Sequence, residues 1–238
     1  MSRKFAVVSV GNHKFYMIRP TIPDGEPYLR SPKESFTVDW FLACSAQAGP
    51  IWDIGANVGE FTLLAAKASG DPSRLVAFEP NPYVRKALVA NIRQNGFEDQ
   101  VLVVPKAVGS QPGIAQLFVG SHESYYGKAR VASTKARTKA NDQIVEVPIT
   151  TVDEMVASGL PAPRYLKIDV EGHEVEVLRG ASATLKGVES CLIEVAGANV
   201  LEIRELLGRH GFTDVTVDAQ RISKTSGDVR SEYITVRR

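Results

Sequence analysis

The sequence predicts an α/β protein built on a doubly wound, mostly parallel sheet. Two observations carry this expectation. Short apolar runs alternate with longer stretches of helical periodicity, first from about residue 50 and again from about residue 164. Glycine and proline fall mainly at the boundaries between the two kinds of segment.

The elements follow in order. FAVVSVGNHKFYMI reads as two short strands around the Gly11-Asn12 turn. Residues 20–32, PTIPDGEPYLRSP, are proline-rich and read as an ordered loop, and KESFTVDWFLACSAQAG reads as a helix closed by Gly49. Residues 1–48 are thus expected to form an extension packed on a core of residues 49–238. In that core PIWDIG is a strand and EFTLLAAKASG a helix ending at Gly70. RLVAFEP is the next strand, and PYVRKALVANIRQNG a helix that starts with proline and stops at glycine. VLVVPKAV reads as the third strand of this β-α-β-α-β run, which implies parallel pairing. IAQLFVG and IVEVPITT are strands separated by a polar segment, 120–143, either a surface hairpin or a flap. Alternation resumes with strand RYLKIDV, helix HEVEVLRGASATL, strand SCLIEVAG and helix NVLEIRELLGRHG; strands TDVTVD and SEYITVRR close the chain.

Composition narrows the function classes. The 238 residues are 44% hydrophobic and 23% charged, with a net charge of +1, so bulk charge gives no argument for nucleic acid or a membrane. No apolar run nears the roughly 20 residues that span a bilayer. Cys44 and Cys191 sit in apolar settings and read as reduced core thiols of a cytoplasmic protein.

A doubly wound sheet binds ligands at the carboxyl ends of its strands, which is where DIGANVG falls. Gly55 and Gly59 let backbone approach a ligand. Asn57 stands where the dinucleotide fingerprint needs its middle glycine, which argues against NAD. Asp53 suits a ligand with a cationic amine. Glu79, at the end of the next strand with Pro80 after it, can accept two hydrogen bonds from ribose hydroxyls. An amine plus a ribose without phosphate describes S-adenosylmethionine (SAM). The bland alternative is a tight turn between two acidic strand-end caps.

DIGANVGEFTLLAA, VAFEPNPYVRKALVANIRQN, KAVG, TTVDE and LKIDVEGHEVEVLRGA, in this order, resemble the FkbM family of SAM-dependent methyltransferases over roughly residues 34–195. The resemblance implies a Rossmann-like class I methyltransferase fold with a seven-stranded sheet. It also implies methyl transfer, usually to a hydroxyl oxygen of a sugar or polyketide-type natural product. By the same resemblance Asp53, Gly55, Asn57 and Gly59 hold the methionine part of the cofactor and Glu79 its ribose. Lys106, Ala107 and Val108 flank the adenine; many related methyltransferases carry an acid where Lys106 stands. Asn81-Pro82-Tyr83 is similar to the N-P-P-Y loop of amino-methylating nucleic-acid enzymes. It lacks the second proline and follows the second strand, so Pro82 reads as a helix start.

An alcohol acceptor loses its proton around the transition state, which calls for a base within about 3 Å. Three candidates reach one rim. Asp169 arrives there by strand period two with Tyr165 and Lys167, and it also belongs to the expected cofactor contacts. His173 falls in the first turn of a helix whose inward stripe holds Val175, Leu178 and Leu185, and Glu194 closes the fifth strand. Asp169 is the first choice as base and His173 the second. A divalent metal on Asp169 and Glu194 ranks third, because no tight ligand motif is present. Glu174 and Glu176 read as helix-surface charges. In the polar segment, Tyr125, Tyr126, Lys135, Arg137 and Lys139 are candidate lid residues for an acidic sugar-like acceptor, against the alternative of a solvated loop.

The expected function is O-methylation of a small-molecule or glycosylated acceptor by direct in-line displacement from SAM. Two alternatives stand: a methyltransferase on another nucleophile or a polymer such as RNA, and a non-catalytic SAM-binding regulatory protein. Homo-oligomer formation is left open.

Overall fold

A computed structural model describes residues 5–18, 34–69, 75–119, 130–131, 143–196, 199–222 and 229–238. The chain opens with an antiparallel hairpin, β1 (Phe5–Val10) and β2 (His13–Ile18), turned by Gly11 at φ +53°. The helix α1 (Ser35–Ser45) ends earlier than the sequence suggests, with Ala46 as its C-cap, and Gly49 at φ +119° then turns the chain toward the sheet.

The main sheet has seven strands in the order β12 (Asp214–Ile222), β13 (Val229–Arg237), β11 (Ser190–Ala196), β10 (Tyr165–Ile168), β3 (Ile51–Ile54), β4 (Leu75–Phe78) and β5 (Val101–Val104). The five strands from β11 to β5 pair in parallel, and β13 joins antiparallel to both β11 and β12. Strand order reverses between β3 and β10, and this is the crevice where such sheets take ligands. Strands β3, β4 and β10 are buried along their whole length, which is why they read as apolar runs.

Period two sorts the central strands onto two cores. Ile51, Leu75, Ala77, Val101, Tyr165 and Leu192 pack with the hairpin, with α1, and with the helices α2 (Glu60–Ser69) and α3 (Pro82–Asn95). Trp52, Ile54, Val76, Phe78, Leu166 and Ile168 face the other way, toward α4 (Val152–Ala157), α5 (Glu174–Arg179) and α6 (Val200–Arg209). The helix α3 is bounded as its sequence asks. Asn81 Oδ1 accepts from the Tyr83 N–H at 3.0 Å, Pro82 opens the first turn, and Gly96 closes the helix in the left-handed conformation.

Two expectations change, and one helix is added. VLVVPKAV is not one strand: β5 stops at Val104, Pro105 offers no N–H, and β6 (Ala107–Val108) pairs instead with β9 (Gln143–Thr150). With β7 (Gly113–Val119) and β8 (Arg130–Val131) it makes a second sheet ordered β6-β9-β7-β8. TTVDE carries a short helix, α4, capped by Thr151, whose Oγ1 accepts from the Glu154 N–H at 2.9 Å. HEVEVLRGASATL breaks after Arg179 and continues as a 3-10 turn at Thr184–Gly187. Gly180 is the C-cap at the break, and a Cβ there would stand 2.0 Å from the Gly109 carbonyl oxygen.

Cys44 and Cys191 are both buried free thiols, and burial pushes the Cys44 thiol up to about 12. Among the described residues no helix is long and apolar enough to cross a membrane.

Candidate active site

The carboxyl ends of β3, β4 and β10 open onto one cavity. Its wall is formed by Ile54, Gly55, Asn57, Phe78, Glu79, Pro80, Val84, Lys106, Ala107, Val108, Leu117, Asp169, Val170, Glu171 and His173. The floor is the turn after β3. There the N–H groups of Gly55 and Ala56 both donate to the Phe78 carbonyl at 3.0 Å, stitching the loop to β4. The Asp169 N–H donates to the Ile54 carbonyl at 3.0 Å, stitching β10 to the same loop.

Strain concentrates in this wall. Asn57 (φ +54°) and Glu171 (φ +53°) are the non-glycine residues with positive φ among those described, and both line the cavity. The turn holds the Asn57 N–H toward Glu79, whose Oε2 accepts it at 2.9 Å, while Glu79 Oε1 accepts the Asn81 N–H at 2.8 Å. Burial raises the Glu79 carboxyl to about 7. The two N–H donors, then Arg85 and Lys167, oppose that rise.

Asp53 does not line the cavity. It is 1% exposed and lies on the face of β3 that packs against α2. Its Oδ1 lies 3.0 Å from Lys167 Nζ, and its Oδ2 accepts the Thr62 hydroxyl at 2.6 Å. The carboxylate expected to meet a ligand amine is thus engaged by a buried lysine. Lys167 also donates to the Gly55 carbonyl at 3.1 Å and lies 3.6 Å from Asp169 Oδ2. Burial alone would lower the ammonium, but Asp53 and then Asp169 outweigh it and hold it above the usual lysine range. Asp169, with a side chain 31% exposed, is the member of this cluster that faces the cavity.

Gly59 is also absent from the wall. A Cβ there would stand 2.4 Å from Leu88 Cδ1, so this glycine lets α2 pack on α3. Lys106 lines the cavity with Ala107 and Val108, its Nζ 4.0 Å from Met155 Sδ. His173 lies in the wall as the N-cap residue of α5 rather than in its first turn. Burial lowers its imidazole below the usual range, opposed by Glu176.

Glu194 sits apart from this wall, and its Oε2 accepts from the Tyr233 hydroxyl at 3.1 Å. The same hydroxyl lies 3.0 Å from Glu34 Oε2. Glu174, expected on the helix surface, is 1% exposed; its Oε1 accepts the Gly172 N–H at 2.6 Å and holds the turn between β10 and α5. Glu176 is paired with Arg179 at 2.6 Å. Among the described residues no group of three or more His, Cys, Asp or Glu side chains could hold a metal ion. Tyr125, Tyr126, Lys135, Arg137 and Lys139 lie outside the described residues.

Two residues escaped the sequence reading. Lys167 carried a signal, since an ammonium in an otherwise apolar strand demands a carboxylate neighbour. Asn91 carried none. Its Oδ1 accepts the Ile18 N–H at 2.7 Å and its Nδ2 donates to the Val58 carbonyl at 2.9 Å, tying the N-terminal hairpin to the glycine loop through α3.

The parallel sheet, the glycine turn after its first parallel strand and the cavity at the switch point are those of the class I, Rossmann-like methyltransferase fold. A profile of the methyltransferase FkbM domain matches residues 53–213, and the chain belongs to that family. It is similar to the hexuronic acid methyltransferase AglP of Haloferax volcanii, 28% identical over 159 residues that cover 66% of this chain and 60% of AglP. It is also similar to the 31-O-demethyl-FK506 methyltransferase FkbM of Streptomyces tacrolimicus, 28% identical over 217 residues, 77% of this chain and 81% of that enzyme. Among solved structures, methyltransferase FkbM of Methylobacillus flagellatus superposes with a TM-score of 0.53 at 16% identity, over 79% of this chain and 43% of that one. The METTL16 methyltransferase domain gives 0.52 at 12% identity, over 89% and 69%. These structural likenesses bear on the fold alone.

Proposed function

We propose that the protein is a SAM-dependent O-methyltransferase acting on a hydroxyl of a sugar-like or natural-product acceptor. The carrying observation is the cavity wall itself, where Glu79, Asp169 and Glu171 place three carboxylates around an apolar slot of Phe78, Val108 and Leu117. That donor set fits SAM, which is cationic, carries ribose hydroxyls and has a flat base. Asn57 adds to the fit, because its Oδ1 is buried and has no hydrogen-bond partner among the described residues. Glu79 would hold the ribose, Asp169 the α-ammonium of the amino-acid end, and Phe78, Lys106, Ala107 and Val108 the base. Bound SAM supplies a methyl group already activated on a sulfonium centre.

The chain's own tasks are to fix the acceptor oxygen in line and to take its proton. His173 is assigned the second task. Its imidazole faces the cavity, and burial favours the neutral form that accepts a proton. Asp169 is held by Lys167 and serves the cofactor end. The name of the FK506 relative supports an oxygen acceptor, and that of AglP a sugar-acid acceptor.

Calorimetry tests the first half. SAM and S-adenosylhomocysteine should bind with micromolar affinity, and NAD should not. Absence of SAM binding by folded protein ends this reading. Labelled methyl transfer to a panel of hexuronic acids, glycosides and polyketide alcohols tests the second half; transfer to amines alone would replace the oxygen assignment.

A further inference from the structure

We propose that Lys167 is the positioning residue of the cofactor site, locking the glycine loop and the Asp169 carboxylate into one rigid receptor for the amino-acid end of the cofactor. This inference rests on the SAM reading above. Three contacts made by a single side chain carry it. The Lys167 ammonium reaches Asp53 on β3 at 3.0 Å, the Gly55 carbonyl in the loop at 3.1 Å, and Asp169 beyond β10 at 3.6 Å. Asp53 and Lys167 are register partners on adjacent parallel strands, so their side chains leave the same face of the sheet at the same height. The pair is sealed: the two side chains are 1% and 6% exposed. Of the three charged side chains, only Asp169 reaches into the cavity.

A buried ion pair adds little net stability compared with apolar residues of the same volume. Its geometry, however, is fixed by two strands and a loop that cannot move independently. Asp53 anchors Lys167, Lys167 holds Asp169 and the Gly55 carbonyl, and Asp169 meets the ligand. Preorganisation of this kind lowers the ordering cost of binding and appears as affinity for the part of the ligand it contacts.

The discriminating variant is Asp53→Leu/Thr62→Val/Lys167→Met, which replaces the cluster with apolar groups and leaves Asp169 in place. Thermal unfolding reports its stability. Calorimetry compares two probes: S-adenosylhomocysteine, which carries the amino-acid end, and 5′-methylthioadenosine, which lacks it. The expected result is a folded variant that binds S-adenosylhomocysteine at least about 10-fold more weakly but keeps 5′-methylthioadenosine within about 3-fold. Lys167→Gln, which retains a polar side chain, should show the same selective loss should the triple variant not fold. A purely structural role predicts equal effects on the two probes, or none once stability is restored, and either result overturns the proposal. Wild-type protein that binds neither probe overturns the cofactor reading as well; wild-type binding with an unselective variant overturns only the role of Lys167.

Discussion

Gly55 and Asp169 meet backbone to backbone: a Cβ on Gly55 would stand 1.9 Å from the Asp169 carbonyl oxygen and 2.9 Å from its carbonyl carbon. The loop after β3 therefore lies directly on the rim of β10, with no side chain between them. Gly55 also holds φ +82°, where an L side chain is strained whatever the space.

Gly55→Ala should for both reasons fold poorly or lose more than about 4 kcal/mol. Urea denaturation measures this. A variant within about 1 kcal/mol of wild type would mean that loop and rim part easily, and the rigid receptor would lose its foundation.

Lys167→Met alone strands the Asp53 carboxylate in the core without its cation. Loss of one partner of a buried pair costs about 3 to 5 kcal/mol, whereas joint apolar replacement is close to neutral. Chemical denaturation of Lys167→Met and of the apolar triple variant should show this contrast. Equal destabilisation of the two would show that packing volume, not charge compensation, governs the cluster.

Glu79 makes binding and stability respond to pH in opposite directions. Its carboxyl is raised from 4.5 in the unfolded chain to about 7 in the fold. Between these values the folded state takes up a proton that the unfolded state does not, so ligand-free stability should rise as pH falls from 8 toward 5. Ribose hydroxyls donate to the ionised form, so S-adenosylhomocysteine affinity should fall on the same descent, by up to about 10-fold per pH unit below 7. Thermal shift with and without ligand reads both trends, and Glu79→Gln should flatten them. Affinity unchanged from pH 8 to pH 6 would remove Glu79 from the ribose.

Part of this site was legible in the chain and part was not, for physical reasons. The run from β3 to α3 could be read because strands buried on both faces give apolar runs, and Asn81, Pro82 and Gly96 mark the ends of α3. The second sheet was hidden, since β6 pairs with β9 across a long stretch of chain and its two residues look like the tail of β5. The helix α4 spans six residues, too few for helical periodicity to show. Glu174 looked like a surface charge because HEVEVLR alternates acid and apolar residues. The tight turn at Gly172 draws it inward as an acceptor. Asp53 and Lys167 each looked suited to a ligand or a strand face, and only strand register reveals that they satisfy each other.

The base and the cofactor ligand can be separated by two substitutions. His173 lines the cavity and is held close to the Gly109 backbone: a Cβ on Gly109 would lie 3.1 Å from its Nε2. If His173 takes the acceptor proton, His173→Ala should lower kcat by about 10²-fold or more and leave S-adenosylhomocysteine affinity within a few-fold. Burial depresses the imidazole below its usual 6.5, so wild-type kcat should hold through the range where a free imidazole titrates and fall only at lower pH. Asp169→Asn should behave differently, weakening S-adenosylhomocysteine at least about 10-fold because a charged contact to the α-ammonium is lost. Glu194→Gln, away from the cavity wall and bonded to Tyr233, should change neither quantity by more than a few-fold. The roles reverse if Asp169→Asn keeps cofactor affinity and loses kcat while His173→Ala turns over normally. In that case the carboxylate beside Lys167 would be the group that takes the proton, and His173 would only close the mouth of α5.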